Sequence, residues 1–136
     1  MSFDLREHTA DVAVEATGPD LDAVFAAVAD GLAAAMCDDV PDTGARFSLT
    51  VTAENREALL FDYLDDLIYE RDVRSVLPVA NDATVRRADD EWVCEATARG
   101  VPLSELVARE IKAVTYSEMD LSETDSGWRA YVVFDV

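Results

Sequence analysis

The stretch His8-Thr9-Ala10-Asp11-Val12-Ala13-Val14 predicts an early β-strand that carries an aspartate at its mouth. At the other end of the chain, the stretch Trp128-Arg129-Ala130-Tyr131-Val132-Val133-Phe134-Asp135-Val136 predicts a last strand that finishes on a second aspartate. We expect these two strands to be neighbours, so that the start and the end of the chain meet. Sequence spacing alone does not establish this pairing, because most of the chain lies between the two stretches.

The hydrophobic pattern between these strands predicts two helices. Asp20 is a good N-cap for a helix that ends near Met36, because its carboxylate can accept hydrogen bonds from the free amides of the first turn. A second helix is predicted from Glu54-Asn55 to about Arg71. Its core-facing residues recur at helical spacing and are Leu60, Tyr63, Leu64, Leu67 and Ile68. Its water-facing residues are acidic, and include Asp62, Asp65 and Asp66.

The remaining segments have the pattern of β-strands. Apolar and polar residues alternate over residues 46–52, which is typical of a half-buried strand. Further strands are predicted at residues 73–79, 83–88, 91–99, 111–121 and 128–136, with Gly100-Val101-Pro102 ending the third of them. The predicted fold class is therefore α+β, with two amphipathic helices packed on largely antiparallel β-sheet in a single compact domain over residues 1–136.

The charge balance of the chain is strongly acidic. It has 29 acidic and 11 basic residues for a net charge of −18, and Lys112 is the only lysine. An acidic surface with few lysines suits a protein that stays soluble in concentrated salt, where screening weakens the repulsion between like charges. We therefore expect a salt-rich, halophilic cytoplasm. The alternative is an ordinary acidic protein.

Several classes of function are not expected. Strong direct binding of nucleic acid needs a basic stripe, and none occurs. His8 is the only histidine, and no serine or cysteine lies in a nucleophile motif, so an autonomous enzyme is disfavoured. Cys37 and Cys94 lack metal-binding spacing and are expected to be small buried residues in a reducing compartment. No signal peptide is evident, and no apolar run approaches the ~20 residues that span a bilayer, so we expect a soluble, cytoplasmic protein.

Four motifs together resemble the archease family. They are His8-Thr9-Ala10-Asp11, Gly18-Pro19 before an amphipathic helix, Ile111-Lys112-Ala113-Val114-Thr115-Tyr116, and the final stretch from Gly127 to Val136. The match covers the whole chain in the right order, and the last two motifs are the more specific. The resemblance implies a small accessory protein of the GTP-dependent tRNA-splicing RNA ligase, which joins a 3′-phosphate or cyclic phosphate end to a 5′-hydroxyl. Archease-like proteins help to load GMP onto this ligase and restore its turnover.

By the same resemblance, a divalent metal, with calcium as the expected ion, is held by Asp11, Asp135 and the carbonyl or carboxylate of Val136. Calcium takes oxygen ligands, which agrees with this set. Judged without the family, Asp11 reads instead as a carboxylate that caps free amides at a strand end, and Asp135 as a solvated terminal residue. His8 is interpreted either as orienting Asp11 or contacting the partner, or as an ordinary hydrogen-bonded histidine at a strand start.

Two positions depart from the family pattern. Ser117 stands where similar proteins often carry a histidine, and Leu103-Ser104-Glu105-Leu106 stands where they often carry Arg-His. Lys112 is interpreted either as a charge contact with the ligase or a phosphate, or as a surface residue paired with a nearby acid. Two other functions remain as alternatives: a non-catalytic, chaperone-like metal-binding module for another protein partner, and an independent metal-dependent phosphohydrolase, which the lack of a base or nucleophile disfavours.

Overall fold

Two antiparallel sheets pack against two helices in the computed structural model. The structure describes residues 2–8 and 11–136, with the backbone alone described for residues 2 and 4–8. The first sheet has four strands in the order β1 (Ser2–His8), β2 (Asp11–Gly18), β7 (Gly127–Asp135) and β6 (Ala113–Thr124). The second has three, in the order β3 (Ala45–Ala53), β5 (Glu91–Pro102) and β4 (Val76–Ala88). The predicted α+β class is confirmed.

Both helices begin at side-chain caps. Helix α1 (Leu21–Met36) starts after Asp20, whose Oδ1 accepts a hydrogen bond from the Ala23 amide at 2.8 Å. Helix α2 (Arg56–Arg74) starts after Asn55, whose Oδ1 accepts from the Ala58 amide, also at 2.8 Å. The predicted starts are therefore confirmed. The predicted end of α2 near Arg71 is wrong by one turn, so Val73 lies in the helix and not in a strand.

The core is shared by both sheets through the helices. Helix α1 packs on strands β2 and β4, and helix α2 packs on strands β3 and β6. Phe25 of α1 and Tyr63 of α2 are fully buried, and their rings stack with centroids 6.0 Å apart. The predicted apolar face of α2 is buried at each of its residues, which are Leu60, Tyr63, Leu64, Leu67 and Ile68.

Three strand predictions differ from the structure. The strand predicted at residues 111–121 is shifted, since β6 begins at Ala113 and ends at Thr124. Residues 76–88 form one strand, because a bulge between Val79 and Asp82 absorbs the turn-like residues that appeared to separate two strands. Strand β5 continues through Gly100 to Pro102. Strand β3 pairs with β5 no further than Gly100, so Pro102 has a neighbouring strand on one side only, as on an edge strand, where proline is tolerated. Gly100 leaves room for Val76, whose Cγ2 lies only 3.0 Å from where a Cβ would be.

Carboxylates of helix α1 close the free edge of strand β4. Asp22 Oδ1 accepts a hydrogen bond from the Val85 amide at 2.7 Å. Two turns later, Asp30 Oδ1 accepts from the Asn81 amide at 2.9 Å and from Asn81 Nδ2 at 3.0 Å. An uncovered sheet edge offers unpaired amides to other chains. These two aspartates therefore satisfy amides of an edge that strand pairing leaves open.

Replacing Asp30 with alanine is expected to lower the free energy of unfolding by about 2–3 kcal/mol, because the buried Asn81 loses a charged acceptor for two donors. Chemical denaturation measures the loss. Asp30→Asn is the matched control, since it keeps an oxygen in the same place and should cost much less. Equal losses of stability for the two variants would contradict the role of the Asp30 oxygen as the acceptor for Asn81.

Two arginines and two tryptophans stack where the sheets approach the start of α2. The Arg56 guanidinium lies 4.9 Å from the ring centroid of Trp128 and 5.6 Å from that of Trp92. The guanidinium of Arg87, in the neighbouring strand β4, lies 5.8 Å from the ring centroid of Trp92. Because Trp92 belongs to the second sheet and Trp128 to the first, Arg56 links the two sheets by cation–π contacts.

The cysteines differ from each other. Cys94 is fully buried, as predicted, and burial together with the nearby Asp22 and Glu95 raises the pKa of its thiol to about 12. Cys37 is only partly buried, so the prediction of a buried residue is wrong for it. No helix in the part of the chain that the structure describes has the length and apolar character needed to cross a membrane.

Candidate functional site

The two aspartates at the ends of the chain lie directly opposite each other. Asp11 is the first residue of β2, Asp135 is the last residue of β7, and the antiparallel register pairs them. Directly opposed residues of an antiparallel pair point to the same face of the sheet, with Cβ atoms roughly 5 Å apart. The register therefore brings together two carboxylates from the two ends of the sequence. We call Asp11, Asp135 and Val136 the chain-end site.

The backbone around Asp135 is held from both sides. Strand β6 flanks β7 on the side opposite β2, with Ala113 paired to Asp135. Its neighbour Lys112 donates its amide to the Asp135 carbonyl oxygen at 2.8 Å. Asp135 itself is exposed, Asp11 is half-buried, and Val136 is 37% exposed. The chain-end site thus combines a fixed main chain with one exposed and one half-buried aspartate.

The donors of the chain-end site are all oxygens. Carboxylate and carbonyl oxygens suit calcium or magnesium, whereas zinc sites normally include nitrogen or sulfur. Among residues 2–8 and 11–136, no group of three or more His, Cys, Asp or Glu side chains is placed to hold a metal ion. Two aspartate carboxylates and an oxygen of Val136 fit a hard cation only in part, so water or a partner must supply the remaining ligands. That these residues bind an ion remains a prediction.

The other residues of the first motif are less fully described. The backbone of His8 pairs with Asp11 across the β1–β2 hairpin. The His8 side chain, Thr9 and Ala10 lie outside the described residues, so the two interpretations of His8 both stay open. Lys112 has an exposed side chain next to the chain-end site, a position compatible with a charge contact to a partner.

The motif glycines lie at the opposite end of the same strand pair. Gly18 pairs with Trp128, next to Gly127. Gly127 has a φ of +152°, and a Cβ there would stand 2.2 Å from the Gly18 carbonyl oxygen. This close approach of two backbones accounts for the glycine of the last motif without a functional role.

Arg71 is a residue near the site that the sequence analysis missed. Only 7% of it is exposed, and its Nη1 donates to the Ile111 carbonyl oxygen at 2.7 Å. Ile111 precedes Lys112, which bonds to Asp135. The signal was present in the sequence, because Arg71 follows Leu60, Leu64 and Leu67 at helical spacing on the apolar face of α2.

Residues 103–106, one of the two positions that depart from the expected family pattern, contribute to the wall of a cavity of about 410 Å³. Leu103 and Leu106 line this cavity together with Met36, Arg71 and Arg109. Residues Leu103–Glu105 form a single turn of 3₁₀ helix. The cavity lining contains no histidine or cysteine, so it offers no soft metal ligands apart from a thioether.

The outer face of α2 is acidic, as predicted. Asp62 and Asp65 are exposed and Asp66 is half-buried, while Tyr69 among them is 59% exposed. Phe61 stacks on Tyr116 of β6 with ring centroids 4.0 Å apart. Desolvation raises the pKa of Asp66, and the charges of Glu70 and Asp65 add to this effect. The ionised form of Asp66 is therefore less stable in the folded chain than in the unfolded one.

Replacing Asp66 with asparagine is expected to stabilise the protein at neutral pH. A carboxyl whose pKa is raised on folding loses stability as the pH rises through that raised pKa, and the asparagine removes this loss. The gain should stay below about 1 kcal/mol, because solvent screens this carboxylate. Urea denaturation at pH 7 and at pH 3 tests it: the advantage of Asp66→Asn should shrink at the lower pH, and a constant advantage would contradict the cause.

The sequence and fold were compared with known proteins. The model of the Archease protein family matches residues 3–136. A Protein archease of Methanosarcina acetivorans is 34% identical over 98% of this chain and 95% of its own length. A Protein archease of Methanothermobacter thermautotrophicus is 30% identical over 98% of each chain.

Two solved structures have the same fold. A solution structure of a Methanobacterium thermoautotrophicum protein superimposes with a TM-score of 0.85 at 29% identity and covers 98% of both chains. A crystal structure from Thermotoga maritima, described as an archease and possible chaperone, superimposes with a TM-score of 0.66 at 25% identity, over 96% of this chain and 94% of that one.

Proposed function

Because this chain belongs to the archease family, we propose that it is a non-catalytic accessory protein that activates the tRNA-splicing RNA ligase by promoting ligase guanylylation and turnover. The observation that supports this function best is the register that sets Asp11 opposite Asp135 at the exposed end of the first sheet. An activator has to present a group to its partner, and Asp135 of this pair is exposed, with the exposed Lys112 beside it.

The chain-end site would hold a divalent cation, with calcium as the expected ion, through the side chains of Asp11 and Asp135 and the carbonyl or carboxylate of Val136. A bound divalent cation can neutralise charge on phosphate oxygens during nucleotidyl transfer. The task of this chain is to hold the oxygens in place. The main chain of Asp135 is fixed by the Lys112 amide, which donates to its carbonyl oxygen at 2.8 Å. The exposed side chain of Asp135 would leave positions for ligands from the ligase.

A catalytic role of its own is disfavoured by the chemistry of the buried reactive groups. The thiol of Cys94 has a pKa raised to about 12, so it is not a ready nucleophile. Burial, with the nearby Cys94 and two aspartates, likewise raises the pKa of the fully buried Tyr63. Turnover of nucleotides by the pure protein in divalent salt, lost in Asp135→Ala, would instead support the phosphohydrolase.

Contact with the ligase is expected to be protein to protein. A net charge of −18 repels phosphate backbones. The guanidinium of Arg129, for example, is shared between Glu15 and Asp120. RNA is therefore expected to be held by the ligase and not by this chain.

Single-turnover guanylylation of the cognate ligase tests the function. The ligase is mixed with GTP and divalent metal, with and without this protein, and GMP bound to the ligase is followed with time. We expect a clear acceleration by the wild-type protein, and none by Asp11→Ala. No acceleration by the wild type, at low and at molar salt, would overturn the proposal.

A chaperone-like module for another protein is the second candidate, favoured by the description of the Thermotoga maritima relative as a possible chaperone. Pull-down with the purified chain as bait separates the two. Recovery of the ligase favours the activator. Repeated recovery of the same other protein without the ligase, followed by binding of the two purified proteins, favours the second candidate.

A further inference from the structure

Arg71 lies where a charge is costly, at the end of the apolar face of α2. It is 7% exposed, in a helix whose buried residues are otherwise apolar or aromatic. A buried guanidinium destabilises a fold unless its donors are satisfied. The buried guanidinium of Arg71 therefore needs specific hydrogen-bond acceptors.

The partners of Arg71 lead away from α2 toward the end of β7. Nε bonds to Asp72 at 3.0 Å on the same helix, which balances its charge. Nη1 contacts Met36 Sδ at 3.3 Å at the end of α1, and donates to the Ile111 carbonyl oxygen at 2.7 Å. The bond to Ile111 is the one that reaches the segment leading into β6.

A single peptide group connects Arg71 with Asp135. The carbonyl of Ile111 and the amide of Lys112 belong to the same peptide bond. Arg71 holds its oxygen at 2.7 Å, and its N–H is donated to the Asp135 carbonyl oxygen at 2.8 Å. A cationic donor on the oxygen polarises the peptide and strengthens the hydrogen bond made by its N–H.

We propose that Arg71 is a positioning residue for the chain-end site, an inference that rests on the ion binding of the proposed function. By fixing the plane of the Ile111–Lys112 peptide, Arg71 fixes where the main chain of Asp135 lies relative to Asp11. Two carboxylates that must share an ion need their oxygens held to a fraction of an ångström. The buried charge thus serves a site that Arg71 does not touch.

A purely structural role predicts something different. If Arg71 only anchored the segment 103–112, its loss would reduce stability without changing ion affinity in the molecules that remain folded. If Arg71 positions Asp135, ion affinity falls even where the fold is intact. Outer groups that orient metal ligands typically change affinity by about 10–100-fold.

The experiment compares Arg71→Met and Arg71→Lys with Arg74→Met. Arg74 is a matched control, because it lies one turn later at the same helix end, pairs with Glu70 and stacks on Phe47, away from Ile111. Calcium affinity is measured by titration calorimetry at a temperature where circular dichroism shows every variant folded. Hydrogen exchange of the Lys112 amide is measured by NMR on the same proteins.

We expect Arg71→Met to weaken calcium binding by about tenfold or more and to speed exchange of the Lys112 amide, with Arg74→Met like the wild type. Arg71→Lys keeps the charge and should recover part of both. Unchanged calcium affinity in Arg71→Met would overturn the inference, and so would an unchanged rate of hydrogen exchange at the Lys112 amide. If the wild type binds no calcium while Lys112 exchange still depends on Arg71, the ion site fails and only the structural link stands. If Arg71→Met does not fold, Arg71→Lys decides by the same two measurements.

Discussion

Replacing Asp135 with asparagine is expected to lower calcium affinity by more than about 100-fold, which exceeds the effect typical of groups that only orient a metal ligand. Asp135 supplies one of two side-chain carboxylates in the chain-end site, opposite Asp11. Asparagine keeps the volume and one oxygen but removes the charge on which a hard cation depends. Activation of ligase guanylylation is expected to be lost with it, since the proposed function requires the ion.

Asp125→Asn is the matched control for Asp135→Asn. Asp125 is exposed in the turn that joins β6 to β7, at the far end of the strand that carries Asp135. The Asp125→Asn substitution removes the same charge from the same hairpin and should leave calcium binding and activation of the ligase intact. Wild-type calcium affinity in Asp135→Asn would remove Asp135 from the site, and equal losses in both variants would point to net charge alone.

Replacing Phe134 with alanine is expected to lower the free energy of unfolding by about 3–5 kcal/mol, the cost of truncating a large core aromatic. Phe134 is fully buried and pairs with Val12 of β2 on one side and with Val114 of β6 on the other. It is therefore the side chain that packs the two ends of the chain together just inside the chain-end site.

Denaturant unfolding of Phe134→Ala measures this loss, with Phe134→Leu as the comparison that removes less volume. Leucine keeps much of the apolar contact, so Phe134→Leu is expected to cost clearly less than Phe134→Ala. A loss below about 1 kcal/mol for the alanine variant would contradict the close packing of Phe134, because truncating a fully buried aromatic typically costs about 3–5 kcal/mol.

The local elements of this fold could be predicted from the sequence because their causes are local. Asp20 and Asn55 cap the two helices by accepting hydrogen bonds from amides only three residues further along the chain. The apolar spacing of α2 predicted its buried face residue by residue. The acidic residues of its outer face were predicted from the same periodicity. The stacking of Tyr116 of β6 on Phe61 of α2 was not, because it joins residues distant in sequence.

The breaks in strands were harder to predict, because tertiary contacts override local signals. Asn81-Asp82 has the composition of a turn, yet Asp30 of α1 holds the Asn81 amide and the pair becomes a bulge within one strand. Gly100 has the composition of a strand end, yet it admits Val76 of the neighbouring strand. In both cases the deciding atoms belong to residues distant in sequence.

By itself, the sequence of this protein determined the two helices, the strand-rich remainder, the family and the identity of the two terminal aspartates. Only the tertiary structure decided that Asp11 and Asp135 face each other, and that Arg71 reaches Asp135 through one peptide group. The physical reason is that periodicity and capping act over a few residues. Strand register and the partners of a buried charge depend instead on contacts that form only when distant segments pack together.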